Sequence, residues 1–146
     1  AMSDVSKATV TIDAPMSLVS EILKNINDYP TWSSTIKSVT VDETDGNGYP
    51  AKVTLVVDAG VMKDRPTLSY DWSQAPAKIS FSLDDADLMT EMTGVYLVKD
   101  NGDETTDVTY ELTVNLSMPV PAMMRKKAEQ ATIDLALSQL KKRAEG

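Results

Sequence analysis

The chain has neither cysteine nor histidine among its 146 residues. Disulfides, thiolate nucleophiles, the usual zinc ligand sets and an imidazole general base are excluded together. Although 42% of residues are hydrophobic, no apolar run approaches the roughly 18 residues of a membrane span. Positive charge is scarce as well: 14 Lys and Arg against 22 Asp and Glu leave a net charge of −8, opposite to the basic surface that binding a phosphate backbone requires. Nucleic acid is therefore not an expected partner, and neither is stable insertion in a membrane. Residues 3–9 are too polar for a secretory leader, so a cytoplasmic location is expected. A second domain has no room, and residues 1–146 are read as one domain able to bury roughly 70% of its unfolded surface.

What is present is an alternating pattern closed by one long helix. Residues 5–13 alternate Ala8, Val10 and Ile12 with Lys7, Thr9 and Thr11, the period of a half-buried strand. Asp13-Ala14-Pro15 stops it, and residues 16–26 space Leu18, Val19, Ile22, Leu23 and Ile26 by threes and fours, which predicts a short amphipathic helix. Asn27-Asp28-Tyr29-Pro30 interrupts that helix, and Thr31-Trp32-Ser33-Ser34 is expected to form a second helical turn. Beyond it, turn signals such as Asp45-Gly46-Asn47-Gly48 and Asn101-Gly102 mark off six antiparallel strands, over 36–44, 49–58, 63–72, around Phe81, 90–99 and 107–116. The last has the cleanest alternation, with Val108, Tyr110, Leu112, Val114 and Leu116 on one face.

Met118-Pro119-Val120-Pro121 then delivers the chain into a helix over 121–144, about 36 Å long at 1.5 Å per residue. Ile133, Ala136, Leu137 and Leu140 share one stripe of it. Met124, Ala128, Ala131 and Leu135 lie on nearly the opposite side, where they either meet a second apolar surface or stand in water. The pattern is that of an α+β fold in which a terminal helix lies as a lid on a curved sheet, and such a lid implies a cavity.

This order of elements, with Ile12-Asp13-Ala14-Pro15, Tyr29-Pro30-Thr31-Trp32, Gly94-Val95-Tyr96-Leu97, Val108-Thr109-Tyr110-Glu111-Leu112, Pro119-Val120-Pro121 and the Ala136–Arg143 segment, resembles the START-like (SRPBCC) superfamily. Its polyketide cyclase/dehydrase and coenzyme Q-binding branch is the nearest match, over nearly the whole chain. The resemblance implies a helix-grip fold, a seven-stranded antiparallel sheet curled around the C-terminal helix with two short helices between strands one and two. It also implies a pocket for lipids, isoprenoids, sterols or polyketides. Members divide into carriers, aromatase/cyclases and partner-binding accessory proteins, and no family-wide catalytic motif exists to carry over.

Side chains suited to such a pocket fall at the expected places. Methionine conforms to ligands of varied shape, and Met62, Met89, Met92, Met118, Met123 and Met124 lie near the expected mouth. Tyr70, Trp72, Phe81, Tyr96 and Tyr110 occupy concave-face strand positions, where a ring offers contact area and a phenol a polar handle. Arg65, before Pro66, is placed to hold an oxygen at the entrance. The candidate ligand contacts are thus Met62, Arg65, Tyr70, Trp72, Phe81, Met92, Tyr96, Tyr110 and Met123. No catalytic residue, metal ligand or cofactor is assigned. Trp32 is read as closing the narrow end of the barrel, and the basic residues at both ends of the last helix as solvated or as contacts for an anionic partner. The leading expectation is noncatalytic binding or transport of a hydrophobic small molecule. The alternatives are a polyketide cyclase/dehydratase acting by orienting its substrate and an accessory protein that docks through its methionines.

Overall fold

The computed structural model describes residues 5–60 and 62–146, so residues 3 and 4 of the polar N-terminal stretch lie outside the described residues. Its elements run β1 (Ser6–Ile12), α1 (Met16–Lys24), a 3₁₀ turn (Ile26–Thr31), β2 (Ile36–Thr44), β3 (Pro50–Asp58), β4 (Lys63–Asp64), β5 (Thr67–Asp71), β6 (Lys78–Asp85), β7 (Met89–Asp100), β8 (Thr106–Leu116) and α2 (Ala122–Glu145). The sheet is antiparallel in the order β1-β8-β7-β6-β5-β3-β2, with the two-residue β4 paired to β3 beside this path. It curls around α2 in the helix-grip arrangement anticipated from the sequence.

Two local differences have physical causes. The strand expected over 63–72 is split at Arg65-Pro66, because proline has no N–H to give the ladder. The Pro66 carbonyl still accepts from Leu55 N–H at 2.9 Å, so β3 and β5 resume at once. The second helical turn falls over Ile26–Thr31, earlier than Thr31-Trp32-Ser33-Ser34. There Ile26 and Tyr29 turn into the core, and the Tyr29 hydroxyl donates to the Leu23 carbonyl at 2.6 Å, tying the turn to the end of α1.

A single stripe of α2 is buried: Glu129, Ile133, Leu137, Leu140 and Ala144, at helical spacing. Met124, Ala128, Ala131 and Leu135 on the other side stand exposed. The helix lies along β1 and β8 and is fastened near both ends. Toward its start, the Glu129 carboxylate accepts from Ser6 Oγ at 2.8 Å and from Val114 N–H at 2.7 Å, with Arg125 Nη1 at 3.7 Å. Val114 lies beyond the last β8 residue that β1 pairs, Leu112, so the carboxylate takes the place of a missing strand partner. Toward its end, Lys141 Nζ donates to the Thr11 carbonyl at 2.6 Å, Glu145 accepts from Asp13 N–H at 2.8 Å, and Arg143 pairs with Asp28 at 2.6 Å. The basic residues at the helix end therefore brace it against β1 and the 3₁₀ turn.

Asp64 does similar work at the β4–β5 break. Its buried carboxylate accepts four backbone N–H groups, from Arg65 at 2.7 Å, Asp87 at 2.8 Å, Leu88 at 3.1 Å and Met89 at 2.9 Å. Burial pushes its pKa up, but the four donors together outweigh that and hold it below the ordinary carboxylate value.

Both carboxylates can be tested through stability. Glu129→Ala leaves Ser6 Oγ and Val114 N–H without their acceptor and is expected to cost roughly 3 kcal/mol by urea denaturation, since each orphaned buried group costs about 1–3 kcal/mol; a loss below about 0.5 kcal/mol contradicts the fastening role. For Asp64 the folded pKa is depressed, so its contribution is complete above the unfolded value of about 3.9 and is lost as pH falls through the folded value. The wild-type advantage over Asp64→Asn is therefore expected to be full at neutral pH and to shrink in acid, measured as the difference in urea midpoint at each pH.

Candidate functional site

Register brings the aromatic side chains of the sheet together. Tyr70 of β5 pairs with Phe81 of β6, which pairs with Gly94 of β7. On the neighbouring rung Ile79 pairs with Tyr96, and Tyr96 with Tyr110 of β8. Tyr96 and Tyr110 stack with centroids 4.2 Å apart, and Tyr70 and Phe81 meet at 5.2 Å. Gly94 is what lets Phe81 lie where it does, because a Cβ there would fall within the Phe81 ring.

Between this aromatic wall and the middle of α2 lies a cavity of about 100 Å³. The sheet contributes Leu55, Val57, Leu68, Tyr70, Phe81, Met92, Tyr96 and Tyr110; the helix contributes Thr132, Leu135, Ala136 and Gln139; and the segment leading into β2 contributes Tyr29, Trp32, Ser33, Thr35 and Ile36. None of these side chains is charged. Leu135 is 39% exposed, which sets it at the rim. At the liquid share of roughly 30 Å³ per water, the chamber holds about three waters or one small organic fragment.

Desolvation dominates its electrostatics. Burial raises the pKa values of Tyr29, Tyr70, Tyr96 and Tyr110 above the ordinary phenol value, and mutual repulsion adds to this for Tyr29, Tyr70 and Tyr96. A hydrogen bond between Tyr96 and Tyr110 acts in opposite senses on the two, raising the first and lowering the second, but burial keeps both high. These hydroxyls thus stay protonated at neutral pH, as hydrogen-bonding groups rather than bases.

Of the nine candidate contacts, the structure gathers Tyr70, Phe81, Met92, Tyr96 and Tyr110 into the cavity wall. The other four lie elsewhere. Trp72 is buried, but its ring stacks between Tyr49 and Tyr70 at 5.1 and 5.4 Å, and its Nε1 donates to the Pro50 carbonyl at 2.7 Å. With Tyr49, Asp45 and Asp71 it floors a separate, more open groove of about 340 Å³ at the strand ends. Met62 lies in the β3–β4 loop, Arg65 is exposed at the strand break, and Met123 is 73% exposed in the first turn of α2. Loops and a helix start have no alternation to fix the direction of a side chain, and these three do not line the cavity.

Trp32 is a lining residue rather than a plug, packed at 4.9 Å and 60° to the Tyr29 ring. Gln139 was missed although it follows Ala136 on the helix face that approaches the sheet. Its amide is committed to the backbone and side chain of Ser34, accepting from N–H at 3.0 Å and donating to Oγ at 2.9 Å.

The same architecture recurs in solved structures. A START superfamily protein from Mycobacterium smegmatis superposes with a TM-score of 0.91 at 23% identity, over 97% of each chain. The Zhui aromatase/cyclase from Streptomyces sp. R1128 gives 0.77 at 21% identity, over 97% of this chain and 93% of that one. A protein from Thermus thermophilus gives 0.80 at 22% identity over 96% of each. At these identities the likeness is one of fold. No functionally curated protein matches the chain by sequence. The family model for polyketide cyclase/dehydrase and lipid transport matches residues 4–145. With that match covering nearly its full length, the chain belongs to the polyketide cyclase/dehydrase and lipid transport family.

Proposed function

We propose that the protein binds a hydrophobic small molecule between the sheet and α2 and carries it without transforming it. The observation behind this reading is the cavity itself, an aromatic chamber closed by the helix with no charged side chain in its wall. Sites of this kind bind through apolar contact and a few placed polar groups. The protonated state of the tyrosines supports binding over catalysis, since a phenol held above its ordinary pKa is a poor general base. At about 100 Å³ the chamber lies below the roughly 300–1,000 Å³ of drug-sized sites, so a single-ring guest enters first and a larger one displaces side chains at the rim.

A second reading draws on the family description and on the aromatase/cyclase among the structural neighbours. In it the same wall orients a poly-β-keto chain, and the tyrosine hydroxyls hydrogen-bond its carbonyls. Adding purified protein to such a substrate separates the two: an altered product distribution that Tyr110→Phe abolishes favours the cyclase, and an unchanged one favours the carrier.

Organic extraction and a thermal-shift screen of uncharged aromatic and isoprenoid compounds test the carrier reading directly, with a raised melting temperature expected for at least one class. Gly94→Ala drives a methyl group into the Phe81 ring and pushes that ring toward the chamber. It is expected to cost about 1–3 kcal/mol of stability and to weaken the thermal-shift ligand at least tenfold. Undiminished binding in Gly94→Ala, or no response to any compound, argues against the chamber as the binding site.

A further inference from the structure

The chamber of about 100 Å³ and the groove of about 340 Å³ at the strand ends have one lining residue in common, Tyr70. Its ring is the third in a series of four that runs from one space to the other. Tyr49 and Trp72 line the groove 5.1 Å apart, Trp72 is followed by Tyr70 at 5.4 Å, and Tyr70 by Phe81 of the chamber wall at 5.2 Å. Tyr70 thus stands as the partition between the two. Its neighbours are held in place, Trp72 by the bond from Nε1 to the Pro50 carbonyl at 2.7 Å and Phe81 by its seat against Gly94. Tyr70 is less constrained: it is only half-buried and stands next to Asp71, the last residue of β5. Turning such a ring disturbs two stacking contacts and leaves the sheet and α2 as they are.

We infer that Tyr70 is the specificity-determining residue of the site: its ring turns aside to join chamber and groove, which then hold one elongated guest, its apolar end in the chamber and a hydrogen-bond-donating end, a hydroxyl or an amine, in the groove. This deepens the binding reading and rests on it. The walls assign the two ends. No charged side chain lines the chamber, whereas Asp45 and Asp71 line the groove together with Asn47 and Ser73, with no cation among them. Turn N–H groups fix both carboxylates: Asp45 accepts from Asn47 at 2.8 Å and from Tyr49 at 2.9 Å, and Asp71 accepts from Ser73 at 2.9 Å. Such acceptors favour a donor and repel an anion. Joined, the two spaces come within the roughly 300–1,000 Å³ of drug-sized sites, which the chamber by itself does not reach. A guest confined to the chamber leaves the partition closed, while a longer one binds only the open arrangement and loses affinity in proportion to how rarely that arrangement is populated.

The test titrates three compounds into the protein: ethylbenzene, sized for the chamber alone; the alcohol 6-phenylhexanol, long enough to reach from chamber to groove; and its anionic counterpart 6-phenylhexanoate. Labelled methionine methyl and tryptophan indole groups read the two spaces apart by NMR, with Met92 in the chamber wall and Trp72 in the groove. Ethylbenzene is expected to move the Met92 methyl resonance and leave the Trp72 indole near its place, and the alcohol to move both. The carboxylate is expected to bind about tenfold more weakly than the alcohol. Tyr70→Ala removes the partition and is expected to tighten binding of the alcohol about tenfold without tightening that of ethylbenzene, while Tyr70→Phe, which keeps the ring, behaves as the unmodified protein does. Should the alcohol move Met92 alone or Trp72 alone, or gain nothing from Tyr70→Ala, the role of Tyr70 is overturned while ethylbenzene at Met92 keeps the binding reading standing. A carboxylate that binds as tightly as the alcohol overturns the assignment of the groove to a donor. Should none of the three move Met92, the binding reading falls and this one with it. The pair of resonances in the unmodified protein decides the matter even if Tyr70→Ala fails to fold.

Discussion

The contact between the buried stripe of α2 and the concave face of the sheet is the constraint from which the interior follows. Ile133, Leu137 and Leu140 are driven onto the sheet by loss of water, and Glu129 ahead of them is drawn in by an unpaired stretch of β8 and a serine of β1. With both ends of the helix fastened, its distance from the sheet is set, and the size of the facing side chains decides what fills the gap. At the middle of α2 these are Thr132, Leu135, Ala136 and Gln139, of which the first and third are small and Gln139 is turned to Ser34. The tyrosines and Phe81 reach up from the opposite wall without closing the space. The chamber is thus the remainder left by a helix held off by its own larger residues.

Charge is segregated accordingly. The molecule carries a net charge of −8, and among the described residues two carboxylates are buried, yet neither is in the chamber. Asp64 is surrounded by backbone N–H groups and Glu129 by a hydroxyl, an N–H and a nearby guanidinium, so each is compensated locally and serves the frame. What the frame encloses is a region where the phenols themselves resist ionisation. The burial that raises these phenols also penalises any other charge placed beside them.

The parts of this arrangement that were legible in the sequence are those with a period. A sheet with one covered face and one wet face imposes alternation, and alternation alone put Tyr70, Phe81, Tyr96 and Tyr110 on the concave side before any contact was known. The helix stripe was readable for the same reason, and the four-residue steps from Glu129 to Ile133 to Leu137 carried the hint that this glutamate shares the buried face. Residues outside a period were not legible. Trp32 follows a tight 3₁₀ turn whose placement depends on Tyr29 finding the Leu23 carbonyl, and Asp64 gains its role from donors 23 to 25 residues away. Met62, Arg65 and Met123 were assigned by nearness to an expected mouth, and nearness in a loop says nothing about direction.

On the proposed binding reading, the size of the chamber sets how a larger guest would be admitted. Lifting α2 as a body breaks the Glu129 bonds at one end and the Lys141, Arg143 and Glu145 contacts at the other, several interactions at once for a single opening. Turning Leu135 and Met92 asks far less. Leu135 is already part in water, Met92 is only half-buried, and an exposed rotamer changes on the picosecond-to-nanosecond scale, whereas collective helix motion takes microseconds or longer. Side-chain displacement at the rim therefore precedes any movement of the helix. The frame that defines the chamber stays intact while its volume adjusts, so on the proposed binding reading the floor, with Tyr96, Tyr110 and Phe81 packed by register, is the fixed part of the site and the rim the adjustable one.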